Sequence, residues 1–220
     1  MSISNIIYSA DPGLIIGFHG CEESVRDSVI AGKIMLKPSR NRHDWLGEGY
    51  YFWQNNYDRA LDFARNPPGK KKFEKPAVLG AVLSLGHCLD MTDKKSIDFT
   101  KFSFENLKEL AKSEGKELPL NKNIKNSTDK VLRELDCSVI ENVHKIKGNF
   151  GALPFDSVRG MFIEGDALYE GAGFYDKTHI QICIRNPNCI KGFFIPRKEM
   201  DWKDYKAVPA KYTASPALLH

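Results

Sequence analysis

The chain contains no Cys-x-x-Cys pair, and its five cysteines (Cys21, Cys88, Cys137, Cys183, Cys189) are odd in number and scattered. Neither a disulfide framework nor a structural zinc site is signalled, so reduced thiols are expected. His179, Cys183 and Cys189 fit no standard ligand spacing, and no metal is expected. Long apolar runs are also missing. Stretches such as Leu14 to Phe18 and Ala77 to Leu83 fall short of the roughly 18 residues a membrane span needs, and no basic start precedes an apolar stretch. A soluble, unexported, cytoplasmic protein without a membrane partner is expected. No Gly-x-Gly-x-x-Gly follows a strand and no Gly-x-x-x-x-Gly-Lys-Ser/Thr occurs, which disfavours a dehydrogenase or a P-loop nucleotidase. Charge of one sign does not dominate either: the net +4 is modest. Basic runs do occur at Lys37 to Arg42, Lys70 to Lys72, and between Lys191 and Lys206, where they could follow a phosphate backbone or form a solvated surface.

What is present suits one globular domain over 1–220: 220 residues with 42% hydrophobic content can build one substantial core. Leu14 to Phe18 reads as a buried strand that delivers His19-Gly20 at its end. Glu22 to Ile30 is a short helix stopped at Gly32, and Ile34 to Leu36 a second brief strand. Lys37 to Gly47 is a loop, Gly49 to Trp53 an aromatic strand, and Tyr57 to Arg65 a helix capped by Asn55-Asn56. Ala77 to Leu85 has the strongest strand pattern and is expected in the middle of a sheet. Helices at Phe104 to Lys112 and Thr128 to Lys145 form a helical insert around 100–147. Strands then return at Val158 to Ile163, His179 to Ile184 and Cys189 to Ile195, the last two as a hairpin or near-hairpin. Strands at both ends with helices between them predict an α+β fold.

Two segments carry chemistry. His19 leaves a buried strand beside a glycine, so its imidazole can reach a ribose hydroxyl while the bare Gly20 backbone meets an amide. A strand entered through Gly47-x-Gly49 can approach a ligand closely, and the Tyr51 ring can stack on a planar heterocycle, with Tyr50 and Phe52 facing the other way. Taken singly, His19 reads better as a satisfied surface histidine at a strand end and Tyr51 as an ordinary aromatic of a core strand.

The order of the segments resembles the poly(ADP-ribose) polymerase-like branch of the ADP-ribosyltransferase superfamily. The matching pieces are His19-Gly20, Val29-Ile30-Ala31-Gly32, Leu36-Lys37-Pro38-Ser39, Gly47-Glu48-Gly49-Tyr50-Tyr51-Phe52 and Ala60-Leu61-Asp62-Phe63-Ala64. The resemblance is specific over 14–65, weaker over Ala77 to Leu89 and Val158 to Pro196, and absent from the helical insert. It implies a split mixed sheet that binds NAD as donor, with His19 on the nicotinamide ribose, Gly20 on the carboxamide and Tyr51 on the ring. Lys37, Ser39 and Gly49 would line the donor site under the 37–47 loop. The third catalytic position of that branch is a Glu; the matching strand here has none, so Gln181 takes the place, with His179 two residues earlier on the same face and Glu164 as the alternative carboxylate. The branch using Ser-Thr-Ser and Glu-x-Glu is disfavoured, since neither occurs.

A Gln can bind a hydroxyl but cannot act as a carboxylate base, so transfer of a single ADP-ribose is expected in place of polymer synthesis. The expected protein is an NAD-dependent mono-ADP-ribosyltransferase of the toxin or defence-effector kind. Its acceptor would be macromolecular, RNA or DNA ahead of protein, and a neutralising antitoxin-type partner is compatible with it. A non-catalytic NAD- or ADP-ribose-binding module and an NAD glycohydrolase are the alternatives.

Overall fold

A computed structural model describes residues 13–67, 72–123 and 132–199. Nine strands and four helices follow in the order β1 (Leu14–Glu22), α1 (Glu23–Ile30), β2 (Tyr50–Gln54), α2 (Tyr57–Arg65), β3 (Pro76–Ser84), β4 (Cys88–Asp90), α3 (Lys94–Ser113), β5 (Asn121–Lys122), β6 (Leu132–Arg133), α4 (Glu134–Asn149), β7 (Ser157–Phe162), β8 (His179–Ile184) and β9 (Ile190–Phe194). Seven of these strands form one mixed sheet in the order β4-β7-β8-β2-β1-β3-β9, and β5 pairs with β6 as a small ribbon. The α+β class is as expected. Parts of the expected features, namely Lys70 and Lys71, residues 128–131 of the 128–145 helix, and the basic run beyond 199, lie outside the described residues; within that expected helix Leu132–Arg133 pair as β6 instead, and α4 starts at Glu134.

Several elements depart from expectation. The first strand does not end at Phe18: β1 runs on to Glu22, and His19 and Gly20 lie inside it, paired with Leu79 and Val78 of β3. The segment 34–36 forms no strand; only Leu36 is buried, packed into the core beneath β2. The β3 strand is second from one edge, because the last strand does not fold back on β8. After a 3-10 turn at Pro187–Cys189, β9 crosses to the far side and covers β3 antiparallel, with Ala81 opposite Phe193. The apolar run of β3 is thus buried by β1 and β9 on its two edges. The helical insert begins earlier than its pattern suggested, where the Asp93 carboxylate accepts from the Ser96 backbone N–H and caps α3.

Alternation sorts the sheet's side chains onto two faces. One face holds Ile15, Phe52, Leu79, Leu83, Ile182 and Ile184 around Val29 of α1 and the buried Leu36. The other is covered in two places. Trp53 and Val78 meet Ala60 of α2, while Val158 and Cys183 meet Leu46 and Ile140 and Val143 of α4. Between α3 and α4 lies a buried polar knot: Ser103 Oγ donates to the Val139 carbonyl at 2.9 Å, and Asn142 Nδ2 donates to the Ser103 carbonyl at 3.0 Å and to Asn106 Oδ1 at 3.2 Å. Removing the Asn142 amide strands these buried acceptors, so Asn142→Ala should destabilise the protein by about 1–3 kcal/mol. A denaturation midpoint equal to wild type would show that the knot contributes nothing.

Candidate functional site

The site grows from the junction of β1 and β2. The two strands pair only at Gly17↔Gln54 and Phe18↔Trp53. The Asn55 N–H donates to the Ile16 carbonyl at 2.9 Å, so the backbone groups of Ile16, Phe18 and Gly20 point toward β2, alternating with those that point toward β3. Gly20 and Tyr51 would form the next bonded pair of the ladder. Instead the His19 Nδ1–H donates to the Tyr51 carbonyl at 2.9 Å. The Gly20 N–H and C=O therefore face the opening between the strands with no strand partner. Glycine is needed there for a second reason: a Cβ on Gly20 would lie 2.2 Å from the Ala60 carbonyl oxygen, so only a bare backbone lets α2 pack alongside.

Burial holds the His19 imidazole below its ordinary pKa, against the opposing effect of the Tyr51 carbonyl bond. It is neutral at pH 7, with its proton on Nδ1, and Nε2 is left as an acceptor. The His19 ring approaches Phe52 with centroids 6.0 Å apart, whereas Tyr51 points to the opposite face, against Leu46, Cys183 and Val158. His19 and Tyr51 are thus joined through the Tyr51 carbonyl, not ring to ring. Burial also raises the Tyr51 phenol well above its usual pKa, so it stays protonated.

The Tyr51 hydroxyl serves the loop before β2. It donates to the Gly47 carbonyl at 2.8 Å and accepts from the Leu46 N–H at 3.0 Å. Ser39 is tied to Gly49 by two backbone bonds, Ser39 N–H to Gly49 O at 2.7 Å and Gly49 N–H to Ser39 O at 3.1 Å. Gly47 adopts φ +80, and a Cβ there would sit 2.4 Å from a Glu141 carboxylate oxygen. That carboxylate receives the Glu48 N–H at 2.7 Å and Arg185 at 2.7 Å, which fastens the loop to α4. Lys37 is exposed and has no hydrogen bond or ion pair among the described residues, so of the expected donor-loop residues it alone is not fixed at the site.

On β8, Gln181 pairs with Trp53 and Cys183 with Tyr51, which puts Gln181 diagonally beside Tyr51 on one face, a separation of about 7–8 Å for such neighbours. Its Oε1 is already taken by the Trp45 indole N–H at 2.6 Å. Trp45, overlooked in the sequence, covers Gly160 where a Cβ would meet its ring at 2.7 Å. An aromatic residue in an otherwise polar loop just before Gly-x-Gly was the available signal. Glu164 is bridged to Arg59 of α2 at 2.9 Å and so is not a free carboxylate. His179 is buried, and burial, outweighing its bond to the Lys177 carbonyl and helped by Arg59 and Arg133, lowers it to about 4. A cavity of about 480 Å³ lies beyond the Trp45–Leu46 wall, lined by Met91, Phe104, Arg133 and Val139 among others; it contains none of His19, Gly20, Tyr51 or Gln181.

Among the described residues no cluster of three His, Cys, Asp or Glu side chains is placed to hold a metal ion, and no helix is long and apolar enough to cross a membrane. The chain matches no family model, no curated protein and no solved structure.

Two predictions follow from this electrostatic setting. His179 and His144 are both lowered to about 4, chiefly by burial, His144 also by Arg185 and Lys147 against Glu141. The unfolded chain binds these protons near pH 6.5 and the native chain does not. Stability should therefore be full above that value and fall as pH drops toward 4, with a limiting slope of about 2.7 kcal/mol per pH unit for two protons. Denaturation midpoints at a series of pH values check this, and a flat profile from 7 to 4.5 would refute it. Separately, Tyr51→Phe should keep the sheet but release the loop, raising amide exchange at Leu46 and Glu48 by tenfold or more, since about 1.4 kcal/mol equals one decade and each lost bond contributes about 1 kcal/mol.

Proposed function

We propose that this chain is an NAD-dependent mono-ADP-ribosyltransferase with an ADP-ribosyltransferase-like split sheet, acting in the cytoplasm on a macromolecular acceptor. The observation that carries this reading is the opening beside His19. A primary carboxamide needs one acceptor for its N–H and one donor for its C=O; Gly20 offers both from a single residue, next to an imidazole whose Nε2 can accept from a hydroxyl. NAD carries a carboxamide and ribose hydroxyls on one nucleoside, the two kinds of group that these donors and acceptors match. With the ring and ribose held, the glycosidic C–N bond breaks, nicotinamide leaves with the electron pair, and the ribosyl C1′ bonds to an acceptor oxygen or nitrogen that gives up its proton.

RNA or DNA is favoured over protein as acceptor. Arg40 and Arg42 on the 37–47 loop are largely exposed, in surface ion pairs with Glu48 and Glu134 that a phosphate can displace, and Tyr169, Phe174 and Tyr175 offer exposed rings on which bases can stack. A neutralising partner, if present, would have to close the His19 opening. A second reading, NAD or ADP-ribose binding without turnover, is favoured by one observation: Gln181 is engaged with Trp45, Glu164 with Arg59 and Glu22 with the Glu74 and Lys75 N–H groups, so among the described residues no unengaged carboxylate stands beside the opening.

Incubation with NAD labelled in the adenosine half separates these readings by nicotinamide release and by transfer of label to nuclease- or protease-sensitive material. His19→Ala and Tyr51→Ala should each lower nicotinamide release by about 10²–10³-fold in variants that still fold. Excess NAD should raise wild-type stability, by about 2.7 kcal/mol at a hundredfold excess over Kd. Near-normal turnover in folded His19→Ala would remove the main support for this reading, and the absence of both binding and release at millimolar NAD would sink it.

A further inference from the structure

The 480 Å³ cavity beyond Trp45 takes no part in the proposed transfer. Its apolar wall is assembled from five segments: Trp45 and Leu46 of the loop before β2, Met91 after β4, Phe104 of α3, Ile140 of α4 and Met161 of β7. The space is not a loose seam between the helices of the insert, because next to Phe104 the Ser103 and Asn142 side chains are buried and bonded across α3 and α4. Its volume falls in the range of about 300–1,000 Å³ that small-molecule sites occupy, and such sites combine apolar walls with a few polar groups.

The polar groups here are mostly cationic. The Arg133 guanidinium lies 5.2 Å from the Trp45 ring centre and 3.9 Å from that of Phe162, and it is 3.7 Å from the Asp136 carboxylate. Two aromatic faces thus fix the orientation of this cation. Asp136 is shared, since its other oxygen accepts from Asn121 Nδ2 at 2.7 Å. Lys101 also lines the cavity; it is exposed and has no hydrogen bond or ion pair among the described residues. Two cations against one shared carboxylate leave an excess of positive charge beside an apolar wall, which suits an apolar anion. The rings of Trp45 and Phe104 and the thioethers of Met91 and Met161 favour a flat aromatic body, and a carboxylate on it matches the planar fork of Arg133.

We propose that this cavity is a second ligand site, built by the helical insert, for a small aromatic carboxylate, and that its occupancy stiffens the 37–49 loop. The coupling runs through two residues that line the cavity and also hold the loop. Trp45 donates its indole N–H to Gln181 Oε1 at 2.6 Å, and the Leu46 N–H donates to the Tyr51 hydroxyl at 3.0 Å. A ligand packed on Trp45 and Leu46 needs both in place, so binding and loop closure stabilise each other. The site goes beyond the NAD reading and does not depend on it.

The test titrates 2-naphthoate, and 2-naphthamide as its uncharged counterpart, into wild type, Arg133→Gln and Met161→Trp. Wild type should bind one naphthoate with a Kd below about 1 mM and the amide roughly tenfold more weakly. Arg133→Gln should abolish the difference between the two probes. Met161 is half exposed, so Met161→Trp can fill the cavity without disturbing the core, and it should weaken both probes by roughly tenfold. With naphthoate at a hundredfold excess over Kd, amide exchange at Leu46 should slow by roughly tenfold or more, since linkage allows up to about two decades. No binding by wild type, equal affinity for acid and amide, or unchanged affinity in Met161→Trp overturns the site. Displacement of naphthoate by NAD does so too, because it puts the probe in the His19 opening. Unchanged exchange at Leu46 in the saturated protein overturns the coupling. Should Arg133→Gln not fold, Met161→Trp locates the probe alone.

Discussion

The architecture depends on the parting of β1 from β2 after Phe18. β1 keeps an unbroken antiparallel ladder with β3 from Leu14 to Glu22, so it cannot bend away to follow β2. β2 in turn is committed to β8 from Tyr50 to Trp53. With both strands fixed on their outer sides, the gap between them is filled by a side chain: the His19 imidazole stands in for the missing backbone donor at the Tyr51 carbonyl. The substitution satisfies one buried acceptor and leaves the Gly20 peptide groups facing the gap, a position that would otherwise carry the penalty of unpaired backbone. The neutral state of His19 follows from the same insertion, since burial outweighs the carbonyl bond.

Everything around that opening is anchored to it from a different element. α2 closes one side because Gly20 has no Cβ to hold it off, and its N-terminus is set by the Asn56 side chain accepting from the Arg59 N–H at 3.1 Å. The 37–49 loop closes the other side through Tyr51, Gln181 and Glu141, each from a different element. Arg133, from the ribbon beside α4, lies 3.9 Å over the Phe162 ring that stacks on His179. The helical insert, which no part of the sequence resemblance covers, therefore supports the loop and the aromatic stack from behind.

The local parts of this arrangement were legible in the sequence because they rest on short-range rules. Asn56 and the apolar spacing of Tyr57 to Arg65 mark α2 with its bounds, and His179 to Ile184 reads as a strand from its alternation and length. What could not be read were choices of partner. Nothing in Ile190 to Phe194 distinguishes a hairpin on β8 from a crossover to β3; the decision is made by the open edge of β3, whose Gly80 faces the Phe194 ring with no room for a Cβ. The same limit applied at the site. The alternation of β8 put His179 and Gln181 on one face, but only the contact with Trp45, 136 positions away in the chain, reveals that the Gln181 carbonyl is occupied.

The polar side chains that hold the junction together are mostly uncharged: a neutral imidazole at His19, a protonated phenol at Tyr51 on the opposite face, and, on β8, an amide at Gln181 and a second neutral imidazole at His179 beside the charged Arg59. Of the carboxylates around it, Glu164 and Glu141 are each paired with an arginine, Glu22 accepts the backbone N–H groups of Glu74 and Lys75, and Asp44 accepts that of Asn41. Such a set can grip hydroxyls and amides by matched donors and acceptors, yet it has no group with the basicity to deprotonate an incoming alcohol at neutral pH. Under the proposed reading, the energy available for breaking the glycosidic bond comes from orientation and from the low-dielectric surroundings of the ring and ribose, and any proton released by the acceptor must pass to the acceptor's own groups or to solvent. That requirement favours acceptors that are already nucleophilic, such as ring nitrogens or weakly acidic hydroxyls, over plain sugar alcohols, and it disfavours repeated addition to the ribose of an ADP-ribose already attached.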